Sequence, residues 1–256
     1  MTQIAKNTTG RKLGLVIDLD TCVGCHACAV ACKEWNDGGH MAPLTDEDPY
    51  GAEPFGVWFN RVHAFEAGPQ VESGCGGGGG GDTRTVHFPR SCLHCEQPDC
   101  VTVCPTGASY KRGEDGIVLV DEDKCIGCKL CSWACPYGAR EYDYASGTMK
   151  KCTLCVDRIY NPNLPEAERQ PACVMVCPVS ARAFGDLGDA ESDVSRRVAE
   201  RGGVDLLPDL GYQPVNKYLP PRPRRAAAEH APLADAADGA DVGQRLLRWV
   251  DRLLSR

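Results

Sequence analysis

The stretch CIGCKLCSWACP, residues 125–136, places cysteines at Cys125, Cys128, Cys131 and Cys135, with Pro136 directly after the last. A C-x₂-C-x₂-C-x₃-C-P run is a spacing that holds iron–sulfur clusters. Three thiolates separated by two residues can wrap one corner of a cubane, because the loop between them turns tightly. The fourth is carried away on the start of a helix and reaches a second cluster. The run therefore predicts two clusters and a partner motif elsewhere, and the chain supplies such a motif three times over.

The first group, Cys22, Cys25, Cys28 and Cys32, has the same spacing but carries Lys33 where proline is expected. Proline shapes only the exit and is not a ligand, so the metal reading stands. The second group, Cys92, Cys95, Cys100 and Cys104, has a longer second gap and ends in Pro105. The fourth is stretched: Cys152 and Cys155 are followed by the loop NPNLPEAERQP, then by Cys173, Cys177 and Pro178. Alternation of the fourth ligand assigns four 4Fe–4S clusters. Cluster one takes Cys22, Cys25, Cys28 and Cys177. Cluster two takes Cys152, Cys155, Cys173 and Cys32. Cluster three takes Cys92, Cys95, Cys100 and Cys135. Cluster four takes Cys125, Cys128, Cys131 and Cys104.

The chain has 256 residues and 17 cysteines, of which sixteen fall in these groups. In a small secreted chain such a count would suggest disulfides, but a C-x₂-C pair is poorly placed for a structural disulfide. Structural zinc uses two C-x₂-C pairs set well apart. It has no need of a third thiolate two residues on or of the trailing C-P. A zinc-bound interaction scaffold remains as the alternative from a different class. All sixteen positions are cysteine, so no cluster lacks a ligand and no iron is left open to a substrate. The chain has no phosphate loop, no HExxH, no nucleophile–base pair and no dinucleotide fingerprint, and reads as non-catalytic on its own. A formal net charge of −7 argues against nucleic-acid binding. The N-terminus shows neither an apolar signal region nor twin arginines, and no apolar run approaches the ~18 residues that span a bilayer. The expectation is a cytoplasmic chain that reaches a membrane through a partner.

The fold class is α+β: two bacterial-ferredoxin-like two-cluster units, one inserted into the other. Residues 92–147 form the contiguous unit, with strands at 108–111 and 117–120 around a Gly-Glu-Asp-Gly turn. Residues 13–35 plus 148–188 form the split unit, with strands at 13–18 and 181–184. Residues 36–91 are an insertion with a Gly-rich loop, closing in a strand at 84–88. Within it Cys75 reads as a free thiol. Residues 189–225 form an arm, helix-compatible to 201 and too proline-rich beyond 212 for regular structure. Residues 226–256 are a low-complexity linker and a short amphipathic helix. In that helix Leu246, Leu247, Val250, Leu253 and Leu254 oppose Arg245, Arg248, Arg252 and Arg256. It docks on protein or rests on anionic lipid. His26 and His94 lie inside ligand loops but replace no cysteine, so they read as backbone-bonded or surface residues. Trp35, Trp58 and Trp133 read as packing. Lys111, Arg112, Lys129, Lys150 and Lys151 either offset cluster charge or form a solvated face.

Residues 13–190, with the stretched fourth group, resemble the four-cluster iron–sulfur subunit of the DMSO reductase family of molybdopterin oxidoreductases. The phrases CVGCHACAVACKEWN, VHFPRSCLHCEQPDC, CPTGASYKRGEDGIVLVDEDKCIGCKLCSWACPYGARE and MKKCTLCVDRIYN look most like the branch of that family whose complexes oxidise sulfite. The resemblance implies a molybdopterin catalytic subunit, this electron carrier, and a multi-pass membrane anchor with a quinone site. Sister complexes acting on DMSO, polysulfide, tetrathionate or formate share that wiring. It also implies that the Cys22, Cys25 and Cys28 cluster faces the catalytic subunit, and the Cys125, Cys128 and Cys131 cluster the anchor. In nitrate reductase relatives a tryptophan replaces one cysteine of the third motif; here Cys131 is intact. Anaerobic iron and acid-labile sulfide analysis should return about sixteen irons per chain. Zinc near four per chain would instead establish the scaffold.

Overall fold

The computed structural model describes residues 2–36, 56–67 and 84–222. Cys75, the Gly-rich loop and the amphipathic stretch at 242–256 lie outside the described residues. Strand β1, Leu13–Asp18, is the centre of a three-stranded sheet. On one side it pairs antiparallel with β8, Arg182–Asp186, in the register Leu15 to Phe184. On the other it pairs parallel with β9, Lys217–Leu219, in the register Ile17 to Tyr218. A central strand buries both faces, which is why LGLVID runs apolar without alternation. Leu15 and Ile17 join the main core, while Val16 packs with Val194 and Leu219.

That second cluster is roofed by α6, Asp193–Arg201. Ser192 caps it by accepting from Ser195 N, and left-handed Gly202 ends it. Arg201 then ties it to Asp18 at 2.8 Å. The arm beyond residue 212 was expected to lack regular structure, yet it contributes β9. The reason is Asn216, which is fully buried. Its Oδ1 accepts from Leu15 N at 2.8 Å and its Nδ2 donates to Cys92 O at 3.0 Å. Tyr218 follows, stacked on Phe88 at 4.5 Å and donating its hydroxyl to Pro89 O at 3.0 Å.

Inside the insertion, β2, Asn60–Ala67, pairs antiparallel with β3, Arg84–Ser91. β2 is not among the strands that the sequence predicts. Two hairpin pairs follow: β4, Ser109–Lys111, with β5, Val118–Val120, and β6, Glu141–Asp143, with β7, Thr148–Lys150. Arg61 and the backbone N–H of Trp58 both bind the Glu141 carboxylate, fastening the insertion to β6.

Helices α2, Asp99–Thr102, α3, Leu130–Trp133, and α5, Ala172–Met175, are single turns. α4, Val156–Ile159, is another, and it starts directly after Cys155. In α2, α3 and α5 the third cysteine of a group sits in the turn, and the fourth lies four residues on, past the end of the helix. Pro105, Pro136 and Pro178 then forbid continuation. The first group has Lys33 at that place, and its helix α1, Ala27–Asn36, runs on for ten residues. Lys33 is itself buried and donates to Val57 O at 2.9 Å, so the missing proline anchors the insertion. α1 packs against α5, and α2 against α3.

Asn216→Ala should lower the melting temperature of the iron-loaded protein. It leaves the Leu15 N–H and the Cys92 carbonyl buried without their partner, at about 1–3 kcal/mol for each. An unchanged melting temperature would count against this role.

Candidate metal centres

Each cysteine loop turns by the same device. The residue directly before the second cysteine is left-handed in all four groups: Gly24 at φ 67°, His94 at 47°, Gly127 at 66° and Leu154 at 54°. Glycine adopts this conformation freely, whereas a side chain resists it by roughly 1–2 kcal/mol. Burial holds His94 and Leu154 in place. His94 Nδ1 also accepts from Val118 N at 3.1 Å. Burial, and then the charges of Lys151, Lys111 and Arg140, keep that imidazole well below its usual pKa and neutral, the form able to accept.

Three thiols of one group gather with the last thiol of another. Cys22, Cys25 and Cys28 line a cavity of about 340 Å³ together with Cys177, under Val62, Pro89 and Arg182. Cys125, Cys128 and Cys131 line another of about 310 Å³ together with Cys104, beside Ile126, Met149 and Arg140. Burial raises the Cys32 thiol well above its usual value, and Cys152, Cys173 and Cys155 raise it further. Burial likewise raises Cys95, with Cys92, Cys100 and Cys135 adding to it. Cys152 is pushed up to about 12 by burial and then by Cys173 and Cys92. Cys155 is pushed up to about 11, burial again first.

Such thiols stay protonated at neutral pH unless a metal displaces the proton, so the donor set suits bound iron. The sulfurs surround cavities instead of meeting at a point. Among the described residues, no three Cys, His, Asp or Glu side chains are arranged to hold a single ion. Backbone N–H groups point at the sulfurs: Ser109 at Cys104 (3.4 Å), Met149 at Cys125 (3.4 Å), Leu154 at Cys152 (3.5 Å) and Ala181 at Cys177 (3.2 Å). These bonds favour the charged sulfur.

Reading the sequence for cysteines misses two arginines. Arg140 Nη2 donates to Cys100 Sγ at 3.0 Å and to Ser109 Oγ at 2.7 Å. Arg182 donates to Cys173 Sγ at 3.6 Å and to Asn60 Oδ1 at 2.6 Å. Arg140 Nε and Nη1 and Arg182 Nε, all buried, have no hydrogen-bond partner in the protein. The sulfide corners of a cluster would supply acceptors for them. A repeat could have revealed the pair. CPYGAR at 135–140 and CPVSAR at 177–182 put arginine five residues after the last cysteine of the third and fourth groups. The second group has CPTGAS, ending in Ser109.

The solvated-face reading fails for two lysines. Lys111 is 4% exposed and binds Cys95 O at 3.0 Å and Glu96 at 3.1 Å. Lys151 is 3% exposed and binds the carbonyls of Val118 and Cys152. Lys129 instead lies over the Tyr142 ring at 4.2 Å, and Arg112 pairs with Asp115. Trp58 packs under Lys33 and Trp35 under Arg158. Trp133 is 85% exposed and is not part of the core.

Sixteen cysteines in four such groups define a carrier of iron–sulfur clusters. The 4Fe-4S dicluster domain matches the chain twice, at residues 21–108 and 83–187. The chain is 58% identical to a subunit of the sulfite dehydrogenase of Allochromatium vinosum, over 84% of its own length and 85% of the relative. It is 36% identical to a chain of the anaerobic dimethyl sulfoxide reductase of Escherichia coli (81% and 88%). It is 35% identical to a subunit of the tetrathionate reductase of Salmonella typhimurium (81% and 72%). The chain belongs to the family of iron–sulfur subunits of DMSO-reductase-type oxidoreductases. It carries four 4Fe–4S clusters, transfers electrons, and is a non-catalytic subunit that works with a catalytic partner. The zinc scaffold is thereby set aside.

Gly127→Ala should cost one cluster, about a quarter of the iron, because the added Cβ would lie 2.4 Å from Gly147 O and 2.8 Å from the Tyr142 ring. Full iron content in that variant would show that the loop can open without losing its metal.

Proposed function

We propose that the chain holds its clusters in a line and opens that line to partners at its two ends. The ligand sets are Cys22, Cys25, Cys28 and Cys177; Cys32, Cys152, Cys155 and Cys173; Cys92, Cys95, Cys100 and Cys135; and Cys104, Cys125, Cys128 and Cys131. The cross-group gathering of the thiols supports these sets. Each cluster, when bound, takes up and passes on one electron at a time. The chain's own residues keep water from the inner sulfurs and offset their charge.

The observation that carries the reading is the exposure of the two ends. Among the described cysteines, only Cys25 of the first set and Cys128 of the fourth are exposed. Apolar side chains flank both. Ile126, two residues before Cys128, is 66% exposed, and Val23, two residues before Cys25, is 56% exposed. Large apolar groups left in water at both ends suit partner subunits. By family likeness, the Cys25 end faces a molybdopterin catalytic subunit. The Cys128 end faces a multi-pass anchor with a quinone site, at the cytoplasmic face of the membrane. Among the described residues, no helix is long and apolar enough to cross a membrane.

The split-unit arrangement, residues 13–35 with 148–188 around 92–147, draws its support from the β1–β8 pairing and the α1–α5 packing. The two dicluster matches follow chain order instead. Sulfite oxidation to sulfate is the reaction served, on the strength of the 58% identity to a sulfite dehydrogenase subunit. DMSO, tetrathionate, polysulfide or formate chemistry would use the same relay.

Cys131→Ser in the purified complex should abolish sulfite-dependent quinone reduction and leave dye-linked sulfite oxidation largely intact. Loss of both activities in an assembled complex would remove the relay role. Absence of sulfite oxidation from the parent complex would remove the substrate.

A further inference from the structure

Three buried cations stand where neighbouring ligand sets meet. We propose that Arg182, Lys151 and Arg140 are shared counter-charges, one at each junction of the line, and that each raises the potentials of both clusters beside it. The inference rests on the ligand sets proposed above.

The geometry is the same at the first and last junctions. Arg182 donates to Cys173 of the second set at 3.6 Å, and its side chain lines the cavity of the first set. Arg140 donates to Cys100 of the third set at 3.0 Å, and its side chain lines the cavity of the fourth. Both are almost fully buried. Both stand five residues after the last cysteine of a group, so the internal repeat has put the same charge at the same place twice.

The middle junction lies between the second and third sets. Lys151 directly precedes Cys152 and donates to its carbonyl at 2.7 Å. It also donates to Val118 O on β5, within the 92–147 stretch. Val118 N in turn donates to His94 Nδ1 at 3.1 Å, and His94 lies between Cys92 and Cys95 of the third set.

A buried cation beside one cluster would favour an electron there and hold it. A cation shared between two favours it on either, which keeps the step between them level. In each step one cluster gives up a single electron as its neighbour gains it. The guanidinium keeps its proton, so no proton accompanies the electron. Removing the shared charge removes its attraction for the added electron, so the potentials of both neighbours fall.

The test is a redox titration of the purified complex followed by EPR, with iron content measured on the same samples. Arg140→Met and Arg182→Met should each lower two of the four midpoint potentials, and the two pairs should not overlap. Lys151→Met should lower two as well, one from each of those pairs. Arg140→Lys keeps the charge without the fork and should leave the potentials near the parent's. Unmoved potentials at full iron, or a shift confined to one cluster, would overturn the proposal. So would a fall in Arg140→Lys equal to that in Arg140→Met. If a Met variant loses iron, the charge-preserving variants decide: lowered potentials in Arg140→Lys, Arg182→Lys or Lys151→Arg would overturn it, and parental potentials would support it. Iron content in Cys→Ser variants tests the ligand sets separately, so the two readings fail independently.

Discussion

Thiolates crowded together in a protein interior repel one another, and burial penalises each charge again. That double penalty is the constraint to which the other features of this chain respond. It is visible in the raised thiols of Cys32, Cys95 and Cys152, each pushed up by burial and by its neighbours. Iron relieves part of the penalty by replacing protons. The protein relieves more of it with backbone N–H groups aimed at sulfur and with buried cations. A buried arginine unpaired would be a serious liability. Beside several thiolates it becomes a stabilising partner, which is why Arg140 and Arg182 can sit where a soluble protein ordinarily places leucine.

The repeat that supplies these features is also where they vary. In the stretch 92–147, Arg140 finds its second acceptor at Ser109, the residue that stands in arginine's place in the second group. Arg182 finds its acceptor at Asn60, on a strand of the insertion. The first group cannot supply a counterpart of Ser109 in the same way. It lacks the proline exit, and its helix continues to Asn36. The loss of Pro after Cys32 and the recruitment of Asn60 thus belong together: the longer α1, fastened through Lys33 to Val57, brings the insertion strands against the split group.

The arm after α6 is a structural part of the cluster region rather than an appendage. Asn216 links β1 to the Cys92 loop, and Tyr218 covers Phe88 at the entry to the same loop. A short strand rich in neighbouring prolines has little propensity of its own. What holds it is tertiary: one buried amide whose two ends satisfy one backbone donor and one backbone acceptor.

The cysteine spacing by itself determined a great deal. It announced four metal-binding groups, the tight turns between ligands and the helical exits, while the Gly-Glu-Asp-Gly turn between two short apolar runs announced the hairpin. These are local matters, set by backbone geometry within a few residues, and local geometry is written in order along the chain. The exposed Trp133, the strand β2, the strand β9 and the buried state of Lys111 and Lys151 were decided only by tertiary structure. Each depends on what a distant segment places beside it. A lysine reads alike whether water or a carbonyl of β5 receives it, and an arginine reads alike whether it faces solvent or a sulfur. The chemistry of the ligands was legible because cysteine has few other uses at this spacing. The charges that balance them were not, because a cation's partners are fixed by distance in space and leave no period in the sequence.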